Sequence, residues 1–337
     1  MYTPLQHDAR WGFVCGRISA LEGRRVSREV FTQALNAPSA GDSFQQLSAA
    51  AFSARGVPTS ESLPWFDRIE KAYRGRIIDL RENSPAPEAA NLFLANEDYL
   101  NLGRALRGEA ETIYNGAEVP DVVPVGEHTP LTLLPDDLQS AVRTALNEGN
   151  AAHVSLALDG AFLRHQLRLA RQIGSAAILT WVTEWVLIQC VCILLRLASR
   201  GSQDAIHLKT ALNEPAFESL FHRFELSGGT EIAGLTGELG IVAGNLSEAS
   251  PVLRAAEFER RAMLCLLRSV AVSHSQTAGP ERVFGFLFGM MVEMRNVRLL
   301  LWGLKVQRPL ADLRRQLCFA EMGTAQDGAA LLEKTRP

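Results

Sequence analysis

The sequence lacks the motifs of the common catalytic and nucleotide-binding sites. It has no G-x-x-x-x-G-K-[ST] phosphate loop, no H-E-x-x-H zinc motif and no G-x-S-x-G nucleophile elbow. The glycine-rich stretch 227–244 lacks the lysine and the preceding strand that a phosphate-binding loop needs. We interpret this stretch as a flexible loop or a loosely packed helix, and we expect no catalytic residues, no cofactor and no direct binding of ATP.

Cysteine and histidine are sparse and scattered. None of the five cysteines forms a C-x-x-C pair, and Cys190 and Cys192 would lie on different faces of a helix. We therefore expect reduced, buried thiols. None of the seven histidines has the spacing of a metal-ligand motif, so no metal site is predicted. The histidines are His7, His128, His153, His165, His207, His222 and His274.

The chain has few aromatic residues and little net charge. Its formal net charge is −3 and its basic residues do not cluster, which argues against a nucleic-acid partner. The hydrophobic residues, 47% of the chain, are mostly Leu and Ala, which favour helix over sheet. Strand-like alternation is rare, and the fold class is therefore predicted to be all-α. The predicted loops are 36–43, 83–88, 115–130, 201–203 and 227–250.

One apolar run, residues 176–198, is almost long enough to cross a bilayer. Glu184 and Gln189 interrupt it, and a charge near the middle of a span costs roughly 2.5–3.5 kcal/mol. We interpret the run as a buried core helix, with a membrane span as the alternative. The N-terminal residues have no apolar segment typical of a signal peptide.

The most informative segment is 279–317, which predicts two helices. Pro280 suits a first helical turn, and the pattern continues to Gly303 with apolar residues on nearly every side. Pro309 then precedes a short second helix over 310–317. Polar residues interrupt the long helix in its middle: Glu293, Arg295, Asn296 and Arg298. Burying such groups is costly unless they are paired, so the helix should meet other polar groups in a fixed register.

A weak repeat of about 96 residues runs through the chain. Its first element is Phe66-x-Arg68, then Phe162-x-Arg164, then Phe258-x-Arg260. A second element follows in each unit: Asp98, Asn101 and Arg107 in the first, Leu187, Cys190 and Arg196 in the second, Glu293, Asn296 and Trp302 in the third. An acid and an amide three positions apart share one helical face, where they can bond an arginine or the backbone of a neighbouring helix. The second unit has apolar residues in place of this pair.

The two acid–amide pairs can also be interpreted as general acid–base sites. Placement in the middle of apolar helices favours structural cross-bracing instead, because buried charges persist mainly when they are paired. Candidate partners for the carboxylates are Arg17, Arg107, Arg295 and Arg298. Gly285 and Gly289 share a face with Glu293, and would let either another part of the chain or a partner helix approach closely.

These segments carry a resemblance to a known family. The pattern E-x-R-N-x-R of residues 293–298, with Gly-Pro-Glu before it and Leu313-Arg314-x-x-Leu317 after it, resembles the C-terminal signature of one component of the rotary ATPases. That component is the C subunit of the archaeal and bacterial V/A-type ATPases, whose counterpart in vacuolar ATPases is the d subunit. The start, W-G-F-V-x-G-R-I-x-A-L-E over residues 11–22, is similar to the opening helix of that family.

The resemblance implies a funnel-shaped protein of three related helical modules, here expected at 1–119, 120–215 and 216–337. It implies a non-catalytic coupling subunit that sits at the cytoplasmic face, peripherally attached to the membrane. Its partners would be the proteolipid ring and the central stalk, in ion transport coupled to ATP. Asp98, Asn101, Arg107, Glu293, Arg295, Asn296 and Arg298 would be its structural signature. The alternatives are an all-α enzyme with a pocket among its helices, and a stand-alone helical scaffold descended from that subunit.

Overall fold

The computed structural model describes residues 9–51, 65–106, 136–201, 205–227, 237–244, 246 and 251–319. Within these ranges every regular element is helical, which confirms the all-α prediction. The α-helices are α1 Ala9–Glu22, α2 Arg28–Leu35, α3 Ala40–Ala51, α4 Trp65–Asn83, α5 Glu88–Leu106, α6 Asp136–Asn147, α7 Ala151–Ile173, α8 Ala176–Ser199, α9 Ile206–Leu212, α10 Glu218–Leu226, α11 Gly237–Gly244, α12 Pro251–Val270, α13 Pro280–Lys305 and α14 Leu310–Gln316. Two 3-10 segments, Pro215–Phe217 and Ala271–Ser275, precede α10 and α13.

Local capping explains where the central helices start and stop. Gly174 ends α7 in the left-handed conformation, with φ of 74°, and the Ser175 hydroxyl then accepts the Ile178 N–H at 3.2 Å to start α8. Pro280 occupies the first turn of α13, as predicted. The expected helices 280–303 and 310–317 are both present, each with an end that differs by no more than two residues.

Two predicted loops are too long. In 36–43 the helix α3 already begins at Ala40, because the Ser39 hydroxyl accepts the Asp42 N–H at 3.1 Å and caps the helix. In 227–250 the glycine-rich sequence, interpreted as a flexible loop or a loosely packed helix, forms the short helix α11. The predicted loop 115–130 lies outside the described residues.

Helix α8 is the apolar run that the sequence marked as a core helix or a membrane span. Among the described helices it alone is long and apolar enough to cross a membrane by length and composition. In the structure it packs along α7 and α12, and 56% of its most apolar window is buried inside the protein. Eleven of its side chains are buried, including Trp181, Trp185 and Cys190, which supports the prediction of a core helix.

The centre of the core is an aromatic cluster where α5, α8 and α13 meet. Phe284 on α13 lies 5.5 Å from Phe93 on α5 and 5.6 Å from Trp181 on α8, centroid to centroid. Phe288 and Trp185 extend the cluster at 5.9 Å. Large rings in offset and edge contacts fill such a junction densely. One hydrophobic core therefore joins residues of all three expected modules, whose boundaries stay a prediction.

Four of the five cysteines are buried and all five are free thiols. Cys190 and Cys192 have no exposed surface. Burial raises the pKa of Cys190 to about 12, and it raises the pKa of Cys192 further. Such thiols stay protonated and unreactive at neutral pH. The prediction of buried thiols is confirmed for four of the five cysteines, and Cys265 is half-buried.

Candidate functional site

The polar groups in the middle of α13 form the candidate site. This helix packs against α1, α3, α4, α5, α8, α12 and α14. Three of its polar side chains are buried among apolar ones: Arg282, Glu293 and Asn296. Buried groups of this kind persist only with satisfied partners, so their partners show which elements α13 holds together.

Glu293 is paired with Arg25, which lies in the connection between α1 and α2. The Arg25 Nε donates to Glu293 Oε2 at 3.1 Å, and its Nη2 donates to the Gly289 carbonyl one turn earlier at 3.0 Å. Glu293 is only 7% exposed. Burial raises the pKa of Glu293, while Arg25, the Val26 N–H and Arg76 act against that rise. The α1–α2 connection is thus fixed to the middle of α13.

Arg298, a little more than one turn further along α13, is paired with Glu70 on α4. Its Nε and Nη2 donate to the two carboxylate oxygens of Glu70 at 2.6 and 2.5 Å. Glu70 is buried and Arg298 half-buried. A fork of two parallel charged hydrogen bonds sets both the distance and the orientation between the helices.

Arg295 and Asn296 hold the segment that follows α14. The Asn296 side-chain amide donates to the Cys318 carbonyl, and its oxygen accepts the Cys318 N–H at 2.9 Å. The Arg295 Nη1 donates to the Gln316 carbonyl at 3.1 Å. The Phe319 ring then packs edge-on against Phe31 of α2 at 5.4 Å. Residues 316–319 are therefore tied to both α13 and α2.

A fourth brace joins the first turn of α13 to the end of α1. Arg282 donates to the two oxygens of Glu22 at 2.8 and 2.6 Å, and His274 Nδ1 lies 2.8 Å from the same carboxylate. Burial alone would raise the pKa of Glu22, but the hydrogen bonds from His274 and Arg282 outweigh it and bring the pKa to about 2. Glu22 is thus a carboxylate held in its charged form.

The partners differ from those that the sequence analysis named for the carboxylates. Arg25 rather than Arg17, Arg295 or Arg298 meets Glu293, and Arg17 instead donates to Asp79 of α4 at 2.5 Å. Sequence spacing could not find Arg25, because it lies in a connection 268 positions away. The only indication in the sequence itself was the acidic Glu293 within an apolar helix, because such a residue requires a nearby cation when it is buried.

The first and second units show less of the expected pattern. Asp98 is half-buried on α5; the Asn101 side chain and Arg107 lie outside what the structure describes. In the second unit Cys190 is fully buried, as apolar packing requires. Arg196 of that unit lies 3.2 Å from Glu259 on α12, whose other oxygen accepts from Arg295 at 3.5 Å.

Asp159 on α7 extends this charged row. Its surface is exposed to solvent, yet surrounding protein raises its pKa to about 6, with nearby Arg196 acting against the rise. Alternating charges from α7, α8, α12 and α13 therefore follow one another in the order Asp159, Arg196, Glu259 and Arg295.

Fixed ion pairs of this kind suit bracing better than proton transfer. A general acid or base needs access to a substrate, whereas Glu293 is enclosed by protein and bonded to Arg25.

An open depression between α9 and α10 carries Lys209, Glu214 and Glu218. Its Glu214 accepts two hydrogen bonds from Arg171, at 2.8 and 2.7 Å, in a surface ion pair.

One comparison with known proteins gives a match. A family model described as ATP synthase (C/AC39) subunit matches residues 14–316. The match takes in α1 from Val14 onwards, all of α13 and most of the braces described above. No curated protein matches the chain.

Proposed function

Because the chain belongs to the ATP synthase (C/AC39) subunit family of V/A-type ATPases, we propose that it is the non-catalytic coupling subunit of such a complex. It sits as a socket and spacer between the proteolipid ring and the rotor stalk, at the cytoplasmic face of the membrane. It passes torque between the head that turns over ATP and the ring that carries ions. The family relationship is the observation that carries this proposal.

The bracing of α13 supports the proposal. A part that transmits torque must resist relative movement of its helices. Three of the braces link positions more than 200 apart in the chain, 22 to 282, 25 to 293 and 70 to 298, and the fourth links 296 to 318. The braces at 22, 25 and 318 tie both end regions of the described chain to the same central helix. Buried, directional hydrogen bonds fix the register between two helices more strictly than apolar contacts do.

Within this proposal Glu293, Arg295, Asn296 and Arg298 form a structural brace, and Asp98, Asn101 and Arg107 belong to an equivalent brace in the first unit. The three-module funnel, with boundaries at 119/120 and 215/216, is part of the same proposal. The 96-residue spacing and the meeting of α5, α8 and α13 at one aromatic cluster support it.

Affinity capture of the tagged chain from gently solubilised membranes of its source tests the proposal. We expect mass spectrometry to recover stalk, proteolipid and catalytic subunits together with the chain. A variant with Arg25 and Arg298 both changed to Ala, which loosens α13 from two neighbours, should recover less of all three. Recovery of the wild-type chain as a monomer without these subunits would contradict the proposed role.

A further inference from the structure

Glu148, His153 and His207 come together at one place on the surface. Glu148 Oε2 lies 2.7 Å from His153 Nδ1 and 3.0 Å from His207 Nε2. The two imidazole rings stack with centroids 4.2 Å apart and planes 26° apart. The three atoms that can act as ligands all lie within 4.8 Å of one another. Two imidazole nitrogens thus lie next to the same carboxylate oxygen.

A tight turn and the packing of α9 on α7 set the backbone positions of these three residues. Glu148 and His153 flank a tight turn in which Gly149 has φ of 70° and the Asn150 side chain accepts the Ala152 N–H at 2.9 Å. His207 is on α9, which approaches α7 so closely at Gly160 that an added Cβ would lie 2.5 Å from the Leu208 carbonyl oxygen. The positions of the two histidines relative to each other are therefore set by helix packing.

The donor set determines which ion fits. Two imidazole nitrogens with one carboxylate oxygen suit zinc and similar transition metals, whereas Mg²⁺ and Ca²⁺ prefer oxygen ligands. Metal–ligand bonds of about 2.0–2.2 Å place ligand atoms roughly 3.3–3.6 Å apart in a tetrahedron. The ligand atoms need only small shifts to reach this spacing, and Glu148 is exposed enough to move.

We propose that Glu148, His153 and His207 bind a divalent transition-metal ion, with Zn²⁺ as the best fit. Water completes the coordination on the exposed side. The ion joins the α6–α7 turn to α9, and so acts as a clip between two elements that otherwise meet mainly through apolar packing. This site is independent of the braces on α13 and of the proposed coupling role.

Metal titration of the untagged full-length chain, freed of metal by a chelator, tests the proposal. We expect one equivalent of Co²⁺ to give the visible absorption of a tetrahedral or five-coordinate site, and Zn²⁺ to displace it. The variants H153Q and H207Q should each weaken Zn²⁺ binding at least about tenfold. Zn²⁺ should raise the melting temperature of the wild type and should not raise that of either variant.

His222 offers a matched control, because it is an exposed histidine on α10 outside the cluster. The variant H222Q should bind Zn²⁺ as the wild type does, and an excess of Mg²⁺ should not compete. Circular dichroism of each variant checks that it is folded. Equal Zn²⁺ affinity of wild type, H153Q and H207Q, or no saturable binding by the wild type, would overturn the proposal.

Discussion

Arg282 and Glu22 form a two-point ion pair across 260 positions of the chain, with Nη–Oε distances of 2.8 and 2.6 Å. The Arg282 side chain is 5% exposed and Glu22 is 23% exposed. The pair fixes the first turn of α13 against the last turn of α1. Because a guanidinium so deeply buried requires its carboxylate, this contact should dominate the response of the protein to acid.

We expect the free energy of unfolding to decrease as the pH falls from about 4.5 towards 2. Glu22 has its pKa lowered from 4.5 to about 2 in the folded protein, so the folded state favours the carboxylate. Its contribution is complete above pH 4.5 and disappears as the carboxylate is protonated. The variant E22Q should lose about 3 kcal/mol at pH 7. Urea unfolding followed by circular dichroism from pH 7 to 3 measures both effects.

The exposed pair of Arg17 and Asp79 supplies the control, because it also joins α1 to another helix. The variant D79N should change the free energy of unfolding at pH 7 by less than about 1 kcal/mol, since exposed ion pairs contribute little. Equal losses for E22Q and D79N would contradict the argument from burial.

Replacing the arginine of the Arg25–Glu293 pair should destabilise the protein less in acid than at neutral pH. This is the opposite of the pH dependence expected for the Arg282–Glu22 pair. R25A leaves the Glu293 carboxylate buried without its closest cation, which should cost about 3–5 kcal/mol at pH 7. Since burial already raises the pKa of Glu293, acid protonates it and relieves this cost. The destabilisation by R25A should therefore be smaller at pH 5 than at pH 7, in urea unfolding at both values. In the E293Q background R25A should cost less; an unchanged cost would show that the pair is not coupled.

Gly285 lies so close to Ser273 that one added methyl group at this position should destabilise the protein. An added Cβ would lie 1.8 Å from the Ser273 hydroxyl oxygen, so G285A should cost about 1–3 kcal/mol. The variant G16A is the control, because nothing lies within 4 Å of its added Cβ; it should be neutral or stabilising by up to about 1 kcal/mol. Thermal unfolding compares the two. The double variant S273G/G285A should be more stable than the sum of the single changes implies.

Changing the Asn296 amide to a carboxyl group should remove one of its two hydrogen bonds to Cys318 and destabilise the protein. In N296D the side chain can still accept the Cys318 N–H but places an oxygen against the Cys318 carbonyl. The lost bond and the repulsion should cost about 1–3 kcal/mol. We expect residues 316–319 to be released and cut faster in limited proteolysis. Cleavage at the wild-type rate would show that Asn296 does not hold this segment.

The sequence predicted the helices better than their contacts. The limits of α8 and α13 could be predicted because each follows from a local pattern of apolar residues between a cap and a breaker. The predicted loop 227–250 includes the short helix α11, because a glycine-rich sequence has weak helix propensity. The sequence predicted a close helix approach at Gly285 and Gly289. In the structure the Ser273 side chain lies against Gly285, and the Arg25 side chain, from a connection rather than a helix, lies against Gly289.

The partners of the polar residues could not be predicted, because they depend on tertiary packing. Arg25 and Glu70 look like ordinary surface charges in sequence, and only the fold brings them to Glu293 and Arg298. The cluster of His153, His207 and Glu148 was missed for the same reason. Its two histidines are 54 positions apart and match no local ligand spacing, so only the packing of α7 on α9 reveals them.

The central claim is that this chain couples ATP turnover to ion movement without catalysing either. ATP-driven ion uptake by membrane vesicles from a strain that lacks the gene tests it most directly. We expect uptake to be lost while the detached catalytic head still hydrolyses ATP, and the coupling of the two to be restored by the wild-type gene. Ion uptake at the normal rate per ATP hydrolysed in vesicles without this chain would contradict the account.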